Sequence, residues 1–247
     1  MTERKFVMPE MLMVLLIPLI TLSGCAHQEP TIAHVHVGHA LTGAHDTPGK
    51  DGYLVIAEKR ADEALSHSES ARKQRYIESI KADIAKVVHA TDSEEDYGVK
   101  QAIQASADHI AFAASSADVS ENIAIGSRSY IQHIKPVLER CELIAILGSD
   151  VAASSSREEV IALSAEITKL VPANIDGDDS DGDGLYGSSP DEYGIKQLRE
   201  ELEELIDRED PAYETVDRWY LFNLIQLPGG EWIYRKWFQS GGSGSYK

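Results

Sequence analysis

The chain has 247 residues, 43% of them hydrophobic, and sets 41 Asp and Glu against 23 Lys and Arg, for a formal net charge of −18. That charge argues against nucleic acid and anionic lipid head groups as partners. With two cysteines and no internal repeat, stability has to come from one well-buried core rather than from a disulfide framework.

The opening stretch, MTERKFVMPEMLMVLLIPLITLSGC, places Arg4 and Lys5 before an apolar run from Met11 to Leu22, followed by small residues and a cysteine. This is the layout of a signal peptide, and the run is short for a membrane span. Leu22-Ser23-Gly24-Cys25 resembles the lipobox of bacterial lipoproteins. The resemblance implies cleavage before Cys25, a diacylglycerol on its sulfur, acylation of the new amino group, and stable anchoring in the cell envelope by two or more chains. Ala26, rather than Asp, follows the cysteine; in the Gram-negative sorting pattern this implies the outer membrane. Cleavage removes Glu3, Arg4, Lys5 and Glu10, so the mature chain keeps the full −18. Once Cys25 is lipidated, Cys141 is the only thiol left, and in the apolar run ERCELIAILG it reads as a buried small hydrophobe.

Residues 26–52 are polar and rich in histidine, ending in the turn signal DTPGKDG. This stretch is expected to be a tether or loop. From Tyr53 the pattern becomes helical, with Ile56, Leu65, Ile77, Ile80, Ile84 and Val88 as apolar positions of a first helix. TDSEED supplies a start signal for a second helix over about 94–117. Ser120 caps a third over about 121–148, with a kink expected near His133 because Pro136 removes the donor for the Gln132 carbonyl. Ser156 opens a fourth helix, REEVIALSAEITKLV. Four helices with short polar joints predict a mainly α fold, an antiparallel four-helix bundle over 53–172. Residues 173–247 then add an acidic loop, a fifth helix after the capping box Ser189-Pro190-Asp191-Glu192, and a small aromatic hairpin around Pro228-Gly229-Gly230.

The acidic loop has Asp179, Asp181 and Asp183 on alternate residues with Gly184 after them. Calcium takes six to eight oxygens, and such spacing aims carboxylates inward together. The stretch resembles the EF-hand calcium loop, which implies that these three aspartates are ligands and that Leu185 offers its backbone carbonyl. Where that motif has its closing Glu, this chain has Pro190, and Glu192 comes two residues later. An EF-hand-like loop with a two-residue insertion, a calcium loop of another type using Asp176 and Asp178, and a solvated acidic linker all fit the sequence.

All nine histidines lie at or before His133. In HVHVGH, an extended chain would put His34 and His36 on one face, and His39 or His45 would complete a zinc or copper site after the Gly38 bend. A solvent-exposed linker is the plainer alternative. His109 and His133 border the apolar stripes of two successive helices. Counted from the turn near Val119, their heights differ by about 6 Å, so they are candidates for a shared ligand such as a metal or haem; boundary histidines satisfied by water or by Ser and Asp neighbours are the plainer account. No C-x-x-C-H, H-E-x-x-H, G-x-S-x-G or Walker loop occurs, and no nucleophile with an assigned base stands out. The sequence therefore points to a lipid-anchored envelope binding protein rather than an enzyme. It would hold calcium in the acidic loop and a transition metal or haem on its histidines. The alternative is a structural or interaction lipoprotein, with an envelope protein as partner, in which only the calcium loop matters.

Overall fold

A computed structural model describes residues 31–209 and the short strands 224–226 and 232–234. The chain is mainly helical: α1 Ile32–Leu41, α2 Tyr53–Lys73, α3 Ile77–Asp92, α4 Val99–Ser115, α5 Glu121–His133, α6 Lys135–Ala153, α7 Arg157–Asp176 and α8 Ile195–Asp207. Strand β1, Leu224–Gln226, pairs antiparallel with β2, Trp232–Tyr234. The turn residues and aromatic packing expected of a C-terminal hairpin lie outside the described residues, as do the signal segment and Cys25.

The first correction is at the N-terminal end. The segment expected to be a tether contains α1, a ten-residue helix started by a reciprocal cap in which Thr31 Oγ1 accepts from the His34 backbone and the His34 ring faces the Thr31 N–H. Ala33, Val37, Ala40 and Leu41 recur at helical spacing and are buried. Asp118, in the joint between α4 and α5, accepts from the Ile32 and Ala33 amides at 2.8 and 3.3 Å. A carboxylate there meets both the unpaired N–H groups and the positive end of the helix.

Other boundaries move for identifiable reasons. The first expected helix is two, α2 and α3, separated at Gln74–Tyr76. Tyr76 adopts an extended backbone there, and the chain reverses so that α3 packs back on α2. TDSEED closes α3 with Thr91 and Asp92 and forms the turn before α4 rather than its first coil, and Gly98 stands at the N-cap. The kink expected near His133 falls at Ile134, which keeps αR dihedrals and bonds Tyr130 and Leu138 in the helical pattern; it divides the run into α5 and α6 and leaves Pro136 in the first turn of α6, where its missing donor costs nothing. The Ser189–Glu192 capping box forms on a 3-10 turn, and α8 starts only at Ile195.

Two buried clusters run through the molecule. One joins α1, α4, α5 and α8 with the N-terminal halves of α2 and α6, including Leu54, Ile103, Tyr130 and Leu202. The other lies among α3, α7 and the far halves of α2 and α6, around Ile84, Ile144 and Ile167. Helices α5 and α8 approach closely because Gly126 has no side chain; a Cβ there would collide with Leu205 Cδ1.

Candidate metal centres

Helix α1 lies along α4, and this contact brings histidines together. Residues three apart share one face of a helix, so His36 and His39 both point toward His109 of α4. The Nδ1 of His109 is 3.0 Å from that of His36 and 3.4 Å from that of His39. One ligand nitrogen from each of the three lies within 4.8 Å of the others. Tetrahedral zinc with Zn–N bonds near 2.0–2.1 Å needs nitrogens about 3.3 Å apart, so the two short separations match edges of a zinc coordination polyhedron.

Burial disfavours the charged form of two of these rings. Burial, followed by the neighbouring His39 and His36, pushes His109 down to about 4. Burial also lowers His36, against a smaller opposing pull from Asp118. The Tyr53 ring stacks on His109 with centroids 5.1 Å apart, and its hydroxyl donates to Asp46 Oδ2 at 2.9 Å. Phe112, otherwise exposed, covers His36 at 5.5 Å. Neutral imidazoles offering lone pairs to a common point are the state in which histidine binds metal.

The remaining histidines separate. In a helix, positions two apart point to nearly opposite sides, so His34 does not share a face with His36 as it would on a strand. It turns instead to Glu209, donating from Nε2 to Oε2 at 3.0 Å, while Oε1 of Glu209 accepts from Ser120 and Asn122 at 2.7 and 2.6 Å. This buried polar knot ties α1 to the end of α8. His133 is also elsewhere: its Nδ1 donates to Glu201 Oε2 of α8 at 2.8 Å and its ring meets Tyr193 edge-on. His109 therefore takes its partners from α1, and the His109–His133 pairing expected from helix heights is not formed. His45 stands on the turn after α1, its ring 5.9 Å from that of His39.

The acidic loop folds back on itself. Asp179 accepts from the Gly184 amide, Asp181 from the Asp183 amide at 3.0 Å and Asp183 from the Leu185 amide at 2.7 Å. Gly184 sits at φ +86°, a backbone shape that suits glycine. Glu192 reaches in from the 3-10 turn and is fully buried. Its Oε1 accepts from the Asp181 amide and Ser180, and its Oε2 from Ser188 and the Ser189 amide. These hydrogen bonds, led by the one from the Asp181 amide, hold its carboxyl down to about 2. Oxygens of Asp179, Asp181 and Glu192 lie within 4.8 Å of one another, a grouping able to hold a cation. Asp183 does not join that trio, and Leu185 is exposed.

Asp176 and Asp178, the ligands of the alternative loop, are engaged with cations of the protein. Asp176 pairs with Lys196, and Asp178 Oδ2 accepts from Arg140 at 3.2 Å. The buried Arg140 also donates to Asn174 at 3.1 Å and to the Tyr193 carbonyl, so one guanidinium grips both ends of the loop.

No protein-family model, curated protein or solved structure matches the chain. The chemistry therefore rests on these two groupings. Cys141 offers no nucleophile: it is fully buried, and burial pushes its thiol up to about 12. Among the described residues no helix is long and apolar enough to cross a membrane. Sequence reasoning missed Tyr53, Phe112, Asp46 and Asp118 as walls of the histidine site. The spacing of Ala33, Val37, Ala40 and Leu41 was the signal that would have found the helix behind it.

Proposed function

We propose that this protein is a lipid-anchored component of the cell envelope that binds a divalent transition metal through His36, His39 and His109. The convergence of three imidazoles from two helices carries the reading. Zinc and copper are the ions suited to an all-nitrogen set. Haem is the poorer fit, since it takes one or two axial nitrogens on opposite faces, not three on one side. The protein is read as a binder, not an enzyme. Its scaffold is an antiparallel bundle of α2, α3, α6 and α7, extended by α1, α4, α5 and α8 and by the C-terminal aromatic hairpin.

Calorimetry with zinc and with copper tests the centre. A dissociation constant of micromolar or tighter, about 8 kcal/mol or more, is expected, with heat lost in a His36→Ala/His39→Ala variant. Equal binding by that variant refutes the assignment. The anchor rests on Leu22-Ser23-Gly24-Cys25; Cys25→Ala is expected to leave uncleaved precursor without acyl label, and normal processing of that variant refutes it.

A second reading is favoured by Glu192, which brings a buried carboxylate to Asp179 and Asp181 although it falls two residues late for the EF-hand pattern. On that reading calcium at Asp179, Asp181 and Glu192 orders the segment between α7 and α8, and an envelope protein docks on the result.

A further inference from the structure

Reading His36, His39 and His109 as a metal centre leaves one position of a four-coordinate ion to be filled, and the identity of the group that fills it depends on that reading. A fourth imidazole stands beside the three. The His45 ring is 5.9 Å from the His39 ring at an interplanar angle of 60°. It belongs to an exposed turn between the end of α1 and the 3-10 turn Pro48–Lys50. Just beyond it, Thr47 Oγ1 bonds the carbonyls of Ala44 and Asp51 at 2.8 and 2.6 Å, so the backbone carrying His45 is held while its side chain faces solvent.

The carboxylates nearby are committed to other work. Asp46 accepts from the Tyr53 hydroxyl, which positions the ring stacked on His109. Asp118 accepts from the first two amides of α1. Both oxygens of Asp118 are taken by that cap, and Asp46, through the oxygen that holds Tyr53, serves as a brace for the wall of the centre. Rotating an exposed imidazole about two side-chain bonds breaks none of the hydrogen bonds that hold the turn.

We propose that His45 supplies the fourth nitrogen, so that a zinc- or copper-class ion is held by four imidazoles, three on packed helices and one on an exposed turn. All four ligands are neutral, so the bound ion keeps its full charge. The turn ligand is also the one that can leave without disturbing the core. With His45 on, the site is closed, as in sites that keep a metal; with His45 off, it opens a position to water or to an acceptor's ligand.

X-ray absorption and calorimetry on the zinc-loaded full chain and on His45→Ala test this. The wild type is expected to show outer-shell scattering from four imidazole rings. His45→Ala should show three rings and one oxygen, with affinity weaker by at least about tenfold, a scale that even an outer-shell partner of a metal ligand carries. Because His45 is exposed, far-UV circular dichroism should be the same for both. Unchanged ring count and affinity in His45→Ala overturn the fourth-ligand assignment while leaving the three-histidine centre standing. Failure of the wild type to bind zinc or copper at all overturns both.

Discussion

Removing the His109 imidazole should flatten the acid side of the stability curve in metal-free protein. The His109 ring lies among His36, His39, Tyr53 and Asp46, with His45 near. Its folded-state value is about 4, against 6.5 for an unperturbed imidazole. Between those values the unfolded chain binds a proton that the folded chain refuses, so the stability contributed by the neutral ring is present above pH 6.5 and is lost as pH falls toward 4. At 1.36 kcal/mol per pH unit the gap corresponds to about 3 kcal/mol, and the partial exposure of the ring reduces that to about 1–2 kcal/mol. Urea unfolding in the presence of chelator, at steps from pH 7.5 to 4, reads the effect. The wild type should lose about 1–2 kcal/mol more than His109→Gln across that range. Carboxylate titrations common to both proteins cancel in the comparison. Parallel curves would show that the ring is not desolvated in the folded state, and the account of a neutral His109 imidazole would fail with it.

Two further outcomes concern the acidic loop. Millimolar calcium should raise the melting temperature, since a ligand binding only the folded form at a hundred times its dissociation constant adds about 2.7 kcal/mol; Asp181→Asn, which keeps an acceptor for the Asp183 amide, should remove most of that rise, and identical wild-type melting in chelator and in calcium would refute the site. Arg140→Met should cost about 2–3 kcal/mol, below the range for a fully buried pair because Asp178 is partly exposed; a loss under about 0.5 kcal/mol in chemical denaturation, the scale of a surface change, would show that the loop is not held through that guanidinium.

The helical character of the body was legible because apolar residues recur every three or four positions between good helix formers. The number of helices was not, since the breaks are made by residues that punctuate weakly. Gln74–Tyr76 contains neither Gly nor Pro, and what separates α2 from α3 is the packing of α3 back on α2 and against α6 and α7. Pro136 was read as a kink in one helix because a proline in an apolar run has two outcomes, a bent helix or the first turn of a new one. Here the two nearly coincide, since Ile134 between α5 and α6 keeps αR dihedrals.

The histidine site shows the same division more sharply. The identity of its residues was in reach: three of the six candidate histidines form the grouping and a fourth stands beside it. Their grouping was not, because it turned on whether residues 32–41 were strand, loop or helix. An extended chain selects His34 with His36; a helix selects His36 with His39 and sends His34 to the opposite side. The choice is made by contacts distant in sequence, Asp118 capping α1 and α4 burying Ala33, Val37 and Ala40. The polar composition that suggested a tether follows from the same arrangement, since a short helix that turns His34, His36 and His39 to partners on other elements has fewer positions left for apolar contact. Glu192 makes the converse point. Counting residues along the loop puts it two residues late, as an insertion in the motif; the extra residues are absorbed by bends at Gly182, Gly184 and Gly187, all at positive φ, and the carboxylate arrives beside Asp179 and Asp181. Spacing along the chain predicts ligation only where the backbone between the ligands is regular, and in both centres the irregular or unexpected backbone decides which residues meet.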